Sequence, residues 1–393
     1  MENWTTIRAA DFVEFNPRLS IKKGAVATKI AMDKVQPFTK KIPAIELAEF
    51  AGGSKFCNGD TIMARITPCL ENGKTAFVDV LAEGEIAFGS TEFIVMRAKA
   101  GVSDPQFIYY LATSPMFRNV AIKSMVGSSG RQRVQQGVLD ELELMVPPLE
   151  EQRKIGAFLA SLDQKITLNN EINDNLQQQA YAYFLQLFVE NANPSWRVGT
   201  IADLGTVVGG GTPSKAKPEY YTDDGIAWIT PKDLSIDKSK FIAHGENDIS
   251  QLGYRNSSAT MMPAGTVLFS SRAPIGYIAI ASNEVTTNQG FKSVVPRPEI
   301  GTPFVYYFLI HNLPLIESKA SGSTFKEVSG SVMKSVEAVI PEGDTITKFN
   351  AFCRPVFEMQ EKLEQENRKL AAMRDSLLPR LMSGEIDVSD ISI

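Results

Sequence analysis

The sequence predicts an α+β protein: two α/β globular blocks separated by two long antiparallel coiled-coil helices, arranged as a pseudo-two-fold internal repeat. Three observations predict this. Eleven identities recur at one constant separation of 194 residues, among them Ser129/Ser323, Val134/Val328, Pro147/Pro341, Phe158/Phe352, Asn173/Asn367 and Leu187/Leu381, all within a gapless stretch, 129–187. A constant offset marks a duplicated plan. Two segments carry apolar residues at heptad spacing, and each follows a block in which short β-rich runs appear in the same order. The boundaries that follow are 1–148 and 195–341 for the blocks, 149–194 for the central helix and linker, and 342–393 for the C-terminal helix and tail.

In the first block, Thr61–Arg65, Thr75–Val80 and Glu92–Arg97 are β-rich and punctuated by Gly73 and Gly84. A short helix is expected around Phe107–Tyr110. A polar Gly/Ser loop follows, Gly127–Arg133, and a last strand ends at Pro147. In the second block the matching strands are Thr266–Ser270, Tyr277–Ala281 and Phe291–Val295. The matching helix carries Phe304–Tyr307, the matching loop is Ser321–Glu327, and the last strand ends at Pro341.

Beyond Pro147-Pro148 the period changes. Ile155, Leu159, Leu162, Ile166, Asn169, Asn173, Leu176, Ala180, Tyr183 and Leu187 follow a 4-3 spacing, which is a coiled-coil seam. About 38 residues at a rise of ~1.5 Å each give a helix of roughly 57 Å. The second copy runs Phe349, Cys353, Val356, Gln360, Leu363, Asn367, Leu370, Arg374, Leu377, Leu381. Pro355 and Pro379 are expected to interrupt or bend this second helix near its ends. Each seam needs a partner, and the economical one is the other seam, packed antiparallel because the chain must return. Asn173 and Asn367 are either polar register markers in that seam or half-exposed residues facing a block.

The chain is 44% hydrophobic and 22% charged, which suits a folded globular protein. It has no apolar run near the roughly 20 residues of a membrane span. The N-terminal residues show no secretory pattern, and three widely spaced cysteines predict free thiols and a cytoplasmic location. Taken alone, the net charge of −5 argues against a nucleic-acid partner, but its distribution matters. Residues 1–148 hold 17 Lys/Arg against 16 Asp/Glu, and 195–341 hold 13 against 13. The acidic excess sits in the helical segments, with 3 against 6 and 7 against 10. A balanced block can still present a basic face.

Several motifs together resemble a known family. They are the loop Gly130-Arg131-Gln132-Arg133, the junction Val146–Ile155 with Pro147-Pro148-Leu149-Glu150-Glu151-Gln152, and Gly210-Gly211-Thr212-Pro213-Ser214. Ser270–Gly276 and the terminal run Leu377–Ile386 complete the set. With the tandem repeat, the chain resembles the DNA specificity subunit of type I restriction–modification systems over nearly its whole length. The resemblance implies that the blocks are target-recognition domains, each reading one half of a split double-stranded DNA sequence. It implies that the helices set the unread gap and dock two adenine methyltransferase (modification) subunits. Restriction (motor-nuclease) subunits can join them. It implies a noncatalytic chain with no cofactor and no membrane partner. The second half departs from the pattern: Phe325-Lys326-Glu327 replaces Arg131-Gln132-Arg133, and Pro341-Glu342-Gly343-Asp344 replaces Pro147-Pro148-Leu149-Glu150.

Reading bases requires bidentate side chains, Arg to guanine and Asn or Gln to adenine, while phosphate contacts use Lys, Ser, Thr and free N–H groups. The DNA-contact candidates in the first block are Arg65, Ser128, Arg131, Gln132 and Arg133. In the second they are Thr212, Ser214, Lys215, Lys217, Ser271, Arg272, Asn288 and Gln289. Arg65 is expected to occupy the place of Arg272, after equivalent strands. The plain alternative for the loop is a solvated turn, and for Lys22-Lys23 a solvated charge pair. Tyr109-Tyr110 and Tyr306-Tyr307 could stack on bases, but their helical setting favours core packing.

The run Gly209–Lys215 lacks the Gly-Lys-Ser/Thr ending of a phosphate loop, and Pro213 removes a cradling N–H. His244, His311, Cys57 and Cys69 do not have metal-ligand spacing, so no metal is expected. No Ser/His/Asp set or carboxylate pair stands out. The rival readings are an enzyme with a site shared by both blocks, and a coiled-coil assembly protein with peptide-binding blocks and no DNA role.

Overall fold

The computed structural model describes residues 3–128, 130–322, 326–341 and 343–388. The repeat pair Ser129/Ser323, and Thr324, Phe325 and Glu342 with it, lie outside the described residues. The chain divides into two compact units. The first comprises Met1–Leu168 and Asn367–Ile393, and the second Asn169–Glu366. Among the described residues, no helix is long and apolar enough to cross a membrane.

Unit one contains β1 (Thr5–Arg8), β2 (Val13–Phe15), β3 (Val26–Ile30), β4 (Glu46–Glu49), β5 (Lys55–Phe56), β6 (Thr61–Ala64), β7 (Thr75–Phe77), β8 (Ala87–Gly89), β9 (Phe93–Ala98) and β10 (Glu143–Val146). They form two four-stranded sheets, ordered β2-β9-β6-β7 and β4-β3-β8-β5, and a pair β1-β10. β6 is buried along its whole length because it is central and covered on both faces. The expected strand Thr75–Val80 stops at Phe77, where Val78 exchanges backbone bonds with Gly59 and Asp60. The helices are α1 (Ala9–Phe12), α2 (Pro105–Thr113), α3 (Pro115–Lys123), α4 (Gln136–Asp140) and the long α5 (Leu149–Leu185).

Local chemistry sets these helix starts. Asp104 caps α2 by accepting from the Gln106 and Phe107 N–H groups at 3.0 Å, with Pro105 in the first turn. At the proline-to-helix junction Gln152 is buried. Its amide donates to the carbonyls of Pro147 (2.9 Å) and Val102 (3.1 Å) and accepts from the Asp104 N–H (3.0 Å). Gly156 lies where a Cβ would come within 3.0 Å of the Asp104 carboxylate and the Phe107 nitrogen, so α5 can approach α2 only without a side chain there. α2 buries Phe107–Ala112, including Tyr109 and Tyr110, in the core.

Unit two repeats the plan. Its strands are β11 (Arg197–Thr200), β12 (Gly205–Gly209), β13 (Tyr221–Thr222), β14 (Ile226–Ile229), β15 (Phe241–Ile242), β16 (Asn247–Ile249), β17 (Val267–Ser271), β18 (Ile275–Ala281), β19 (Thr286–Thr287), β20 (Lys292–Pro296) and β21 (Glu337–Ile340). The sheets are ordered β12-β20-β17-β18-β15 and β13-β16-β14-β19, with a pair β11-β21. The helices are α6 (Ile201–Leu204), α7 (Pro231–Ile236), α8 (Gln251–Arg255), α9 (Thr302–His311), α10 (Leu313–Ser318), α11 (Gly330–Ser335) and the long α12 (Asp344–Met382). α9 buries Phe304–Leu309, so Tyr306 and Tyr307 are core residues too.

α12 runs unbroken through Pro355 and Pro379, against the expected interruption. Each proline removes one helical bond, to the carbonyls of Ala351 and Asp375, and both residues lie on the exposed side where water can replace it. In unit two α5 and α12 run antiparallel: Asn169 donates to Glu366 (2.8 Å), Gln360 donates to the Asn173 carbonyl (3.1 Å), and Tyr183 rests on Phe352. Partners rise in number along one helix as they fall along the other. In unit one, Asp163 of α5 meets Arg374 of α12 at 2.5 Å, and Ile155, Leu159 and Leu162 share a core with Leu378 and Leu381. Every residue of both expected seams is buried or half-buried. α5 closes in a wider π turn, Gln186–Glu190, which carries Phe188 onto Phe304, Phe349 and Trp196.

A lysine recurs under the tyrosine pair of each unit, half-buried as Lys40 and buried as Lys240. Lys40 lies over Tyr109 and Tyr110 and donates to Gln106, and burial holds its pKa below the ordinary value. Lys240 lies over Tyr306, Tyr307 and Phe357, and donates to Gln177 of α5 (2.9 Å), Gln360 of α12 (2.8 Å) and the Tyr307 hydroxyl (3.3 Å). Glu364 accepts from the Lys240 and Phe241 N–H groups, so β15 is fastened to both long helices at one point.

Candidate nucleic-acid interface

In unit one the polar loop is the tip of a hairpin closed by the Val126–Arg133 bridge. Its far side is tied to the segment after β6: Gln132 N–H donates to Thr67 Oγ1 (2.8 Å), and the Gln132 carbonyl accepts from Thr67 N–H (3.0 Å) and Oγ1 (3.1 Å). Ser128 and Arg131 are exposed and close the turn, Arg131 N–H donating to the Ser128 carbonyl. Arg133 is exposed but bound to Glu92 through Nε (3.0 Å) and Nη2 (2.6 Å). That pairing holds the Glu92 carboxyl below its usual range and raises Arg133. Arg65 is half-buried, with Nη2 donating to the Val134 carbonyl at 3.2 Å.

The same backbone frame exists in unit two, closed by the Ser321–Glu327 bridge. It fixes the correspondence residue by residue. Val134 N–H donates to the Arg65 carbonyl, and Val328 N–H donates to the Ser271 carbonyl; Ile66 bridges Arg133, and Arg272 bridges Glu327. Arg65 therefore corresponds to Ser271, and Arg272 to Ile66, which corrects the expected match of the two arginines. The bonds to the neighbouring strand agree: Arg65 N–H donates to the Glu92 carbonyl, and Ser271 N–H to the Gly290 carbonyl. The ion pair inverts between the units. Arg133 meets Glu92 in one, whereas Glu327 meets Arg272 (3.6 Å) and Lys292 (3.4 Å) in the other.

Unit two has a cleft of about 490 Å³ in this region. Five expected residues line it: Thr212, Lys215, Arg272, Asn288 and Gln289. They come from three distant segments, brought together by close backbone contact. Gly211 N–H donates to the Thr287 carbonyl (2.8 Å), and Asn288 N–H donates to the Ile229 carbonyl (3.0 Å). A Cβ on Gly210 would sit 2.1 Å from the Asn288 oxygen, and one on Gly211 2.4 Å from Ser258. The glycine run thus serves packing against the cleft floor. Trp228 forms part of the wall, its Nε1 donating to the Gly211 carbonyl at 2.9 Å.

Three candidates lie elsewhere. Ser271 is fully buried and donates to the Gly290 carbonyl (3.1 Å), so it offers nothing to a ligand; β17 is buried along its whole length. Lys217 folds back onto Tyr220, donating to its hydroxyl at 3.0 Å, which raises the lysine pKa. Ser214 is exposed beside the cleft, and its carbonyl accepts from Lys217 N–H.

Sequence reasoning missed Trp228, Lys232, Asn247 and Glu246 of the cleft wall and Glu92 of the hairpin. One signal was available. Thr230-Pro231-Lys232-Asp233 is a capping box opening α7. Asp233 accepts from Thr230 N–H, Thr230 Oγ1 and Glu246 N–H, and so pins both walls.

A family model described as "Type I restriction modification DNA specificity domain" matches residues 1–178 and 193–349. The chain is 37% identical over 177 residues to the type I restriction enzyme MjaIX specificity subunit of Methanocaldococcus jannaschii, covering 44% of this chain and 41% of that protein. It is 26% identical over a 407-residue alignment to the type I restriction enzyme HindI specificity subunit of Haemophilus influenzae, covering 84% and 86%. The crystal structure of a type I restriction–modification system S subunit from M. genitalium aligns over 96% of both chains with a TM-score of 0.59 at 16% identity, a likeness of fold.

Proposed function

Because this chain belongs to the family of type I restriction–modification DNA specificity proteins, we propose that it is the noncatalytic subunit that reads DNA for a type I complex. Each unit reads one half of a two-part duplex target. Two adenine methyltransferase subunits dock on the chain, and motor-nuclease subunits join to cut unmodified DNA. Its place of action is the cytoplasm, where that DNA lies.

One observation carries this reading beyond family membership. The two hairpins share the closing bridge, the bridge to the strand end and the bond from Val134 or Val328, yet present different side chains: Arg133 with Glu92 in one unit, Glu327 with Arg272 and Lys292 in the other. A common frame with unlike surfaces suits the recognition of two unlike half-sites. Exposed cations and amides on such a surface sort into phosphate contacts that position and base contacts that specify.

The test is genome-wide mapping of methylated adenine, with the native chain and with one whose residues 1–148 come from another member of the family. The expected result is a two-part site of which one half changes. A continuous site, or a change in both halves, contradicts the reading.

A further inference from the structure

We propose that the unit-two cleft reads the major-groove edge of guanine, through N–H donors on Asn288, Gln289, Lys215 and Arg272. This rests on the DNA-reading function above and assigns the base class taken at that site. The residue types alone point elsewhere, since Asn and Gln ordinarily read adenine by donating to one ring atom while accepting from the amino group. Here the acceptor half of each amide is engaged within the protein. The Asn288 carbonyl oxygen accepts from the Gly290 N–H at 2.8 Å; a backbone N–H can only donate, so the amide orientation is fixed. The Gln289 carbonyl oxygen accepts from the Thr212 hydroxyl. Each amide oxygen is thereby turned to a protein donor, and its N–H2 is the half without a protein partner among the described residues.

Both carboxylates of the cleft have protein partners. Asp233 accepts three donors of the α7 capping box and the β16 approach. Glu246 is held by Lys232 at 2.5 Å. Lys215 and Arg272 contribute donors only. Asn247, at the rim, keeps both halves of its amide for solvent. The cleft therefore presents N–H donors from four side chains, Lys215, Arg272, Asn288 and Gln289, with Glu246 and Asn247 as acceptors on its wall. Guanine presents two adjacent acceptors in the major groove, O6 and N7, and no donor; thymine presents one acceptor, O4, beside its methyl group, and adenine and cytosine each present an amino group that would face a donor. Phosphate oxygens share the acceptor chemistry, and the experiment separates the two.

The experiment uses the full chain assembled with its methyltransferase subunits and duplexes carrying the mapped target. In the half-site that persists when residues 1–148 are exchanged, each guanine is replaced in turn by 7-deazaguanine, which removes N7 and keeps base pairing. One replacement is expected to weaken native binding about tenfold, the scale of a good base contact. The variant Asn288→Asp still accepts from Gly290 and replaces the outward N–H2 by an acceptor. It is expected to lose preference for guanine at that position and to be indifferent to the deaza base, with the other half-site unchanged. Gln289→Glu supplies a second variant in case the first folds poorly. A persisting half-site without guanine, or deaza replacement without effect, overturns the proposal. So does an Asn288→Asp defect equal on all sequences with a shallower salt dependence, the mark of a phosphate contact. A complex that prefers no sequence at all would instead overturn the DNA-reading function itself.

Discussion

Arg374→Met should destabilise unit one by about 3 kcal/mol. Arg374 Nη1 and Asp163 Oδ1 are 2.5 Å apart, with side chains 16% and 9% exposed. The other Asp163 oxygen accepts from the Tyr110 hydroxyl at 2.5 Å. Removing the arginine leaves a buried carboxylate with one neutral donor. Breaking one partner of a buried pair costs roughly 3–5 kcal/mol. The lower end applies because both residues border a cavity of about 220 Å³ through which water can reach the carboxylate. For a unit of about 200 residues this corresponds to a fall in Tm of ~6–12 °C. Asp163→Asn should cost less, and Asp163→Asn/Arg374→Met should lie within about 1 kcal/mol of native, giving a coupling energy of at least ~2 kcal/mol. Urea denaturation followed by circular dichroism measures all four corners of the cycle. A loss below about 1 kcal/mol for Arg374→Met with coupling under ~0.5 kcal/mol would place the pair among ordinary solvated ones and refute the argument.

Burial draws Lys240 from 10.5 to about 6, against the opposing pull of Cys353 and Glu364. The folded chain then sheds a proton that the unfolded chain keeps up to 10.5, so this residue makes stability rise with pH between those values, by up to ~1.4 kcal/mol per unit. Lys240→Met should remove that slope between pH 7 and 9; an unchanged pH profile would show that its three oxygen partners and ring faces keep the ammonium charged. Gly210→Ala places a methyl 2.1 Å from the Asn288 oxygen and should cost about 1–3 kcal/mol while weakening DNA binding, read by thermal melting and gel shift. Glu92→Gln releases Arg133 from its bidentate partner, and the slope of log affinity against log salt should steepen by about one if the freed guanidinium takes a phosphate.

The long helices and the duplicated strand order were legible because both are written in short-range periodicity. Ile155 through Leu187 carry their burial in spacing alone, and the proline junction became intelligible once Gln152 was seen to serve three backbone groups. The cleft was legible only as residue types. That Asn288 and Gln289 meet Thr212 and Arg272 depends on a parallel pairing of β14 with β19 and on two close glycine approaches. The match of Arg65 with Ser271 and not with Arg272 shows only in the backbone bonds each makes to its neighbouring strand and hairpin, which no propensity encodes. Lys240 reads in the sequence as one solvated lysine among Asp237, Lys238 and Ser239; its burial comes from α5 and α12, whose residues lie about 60 and 120 positions away.

Neither the first unit nor its hydrophobic core is a continuous piece of polypeptide: Leu378, Leu381 and Met382 complete a core begun by Ala9 and Phe12. During synthesis the apolar face that Leu378, Leu381 and Met382 cover therefore stays open until that stretch of α12 has been made. The second unit, contiguous from Asn169 to Glu366, has all its residues earlier. A chain cut before Leu378 should lose stability around Ala9 and Phe12, far from the cut in sequence.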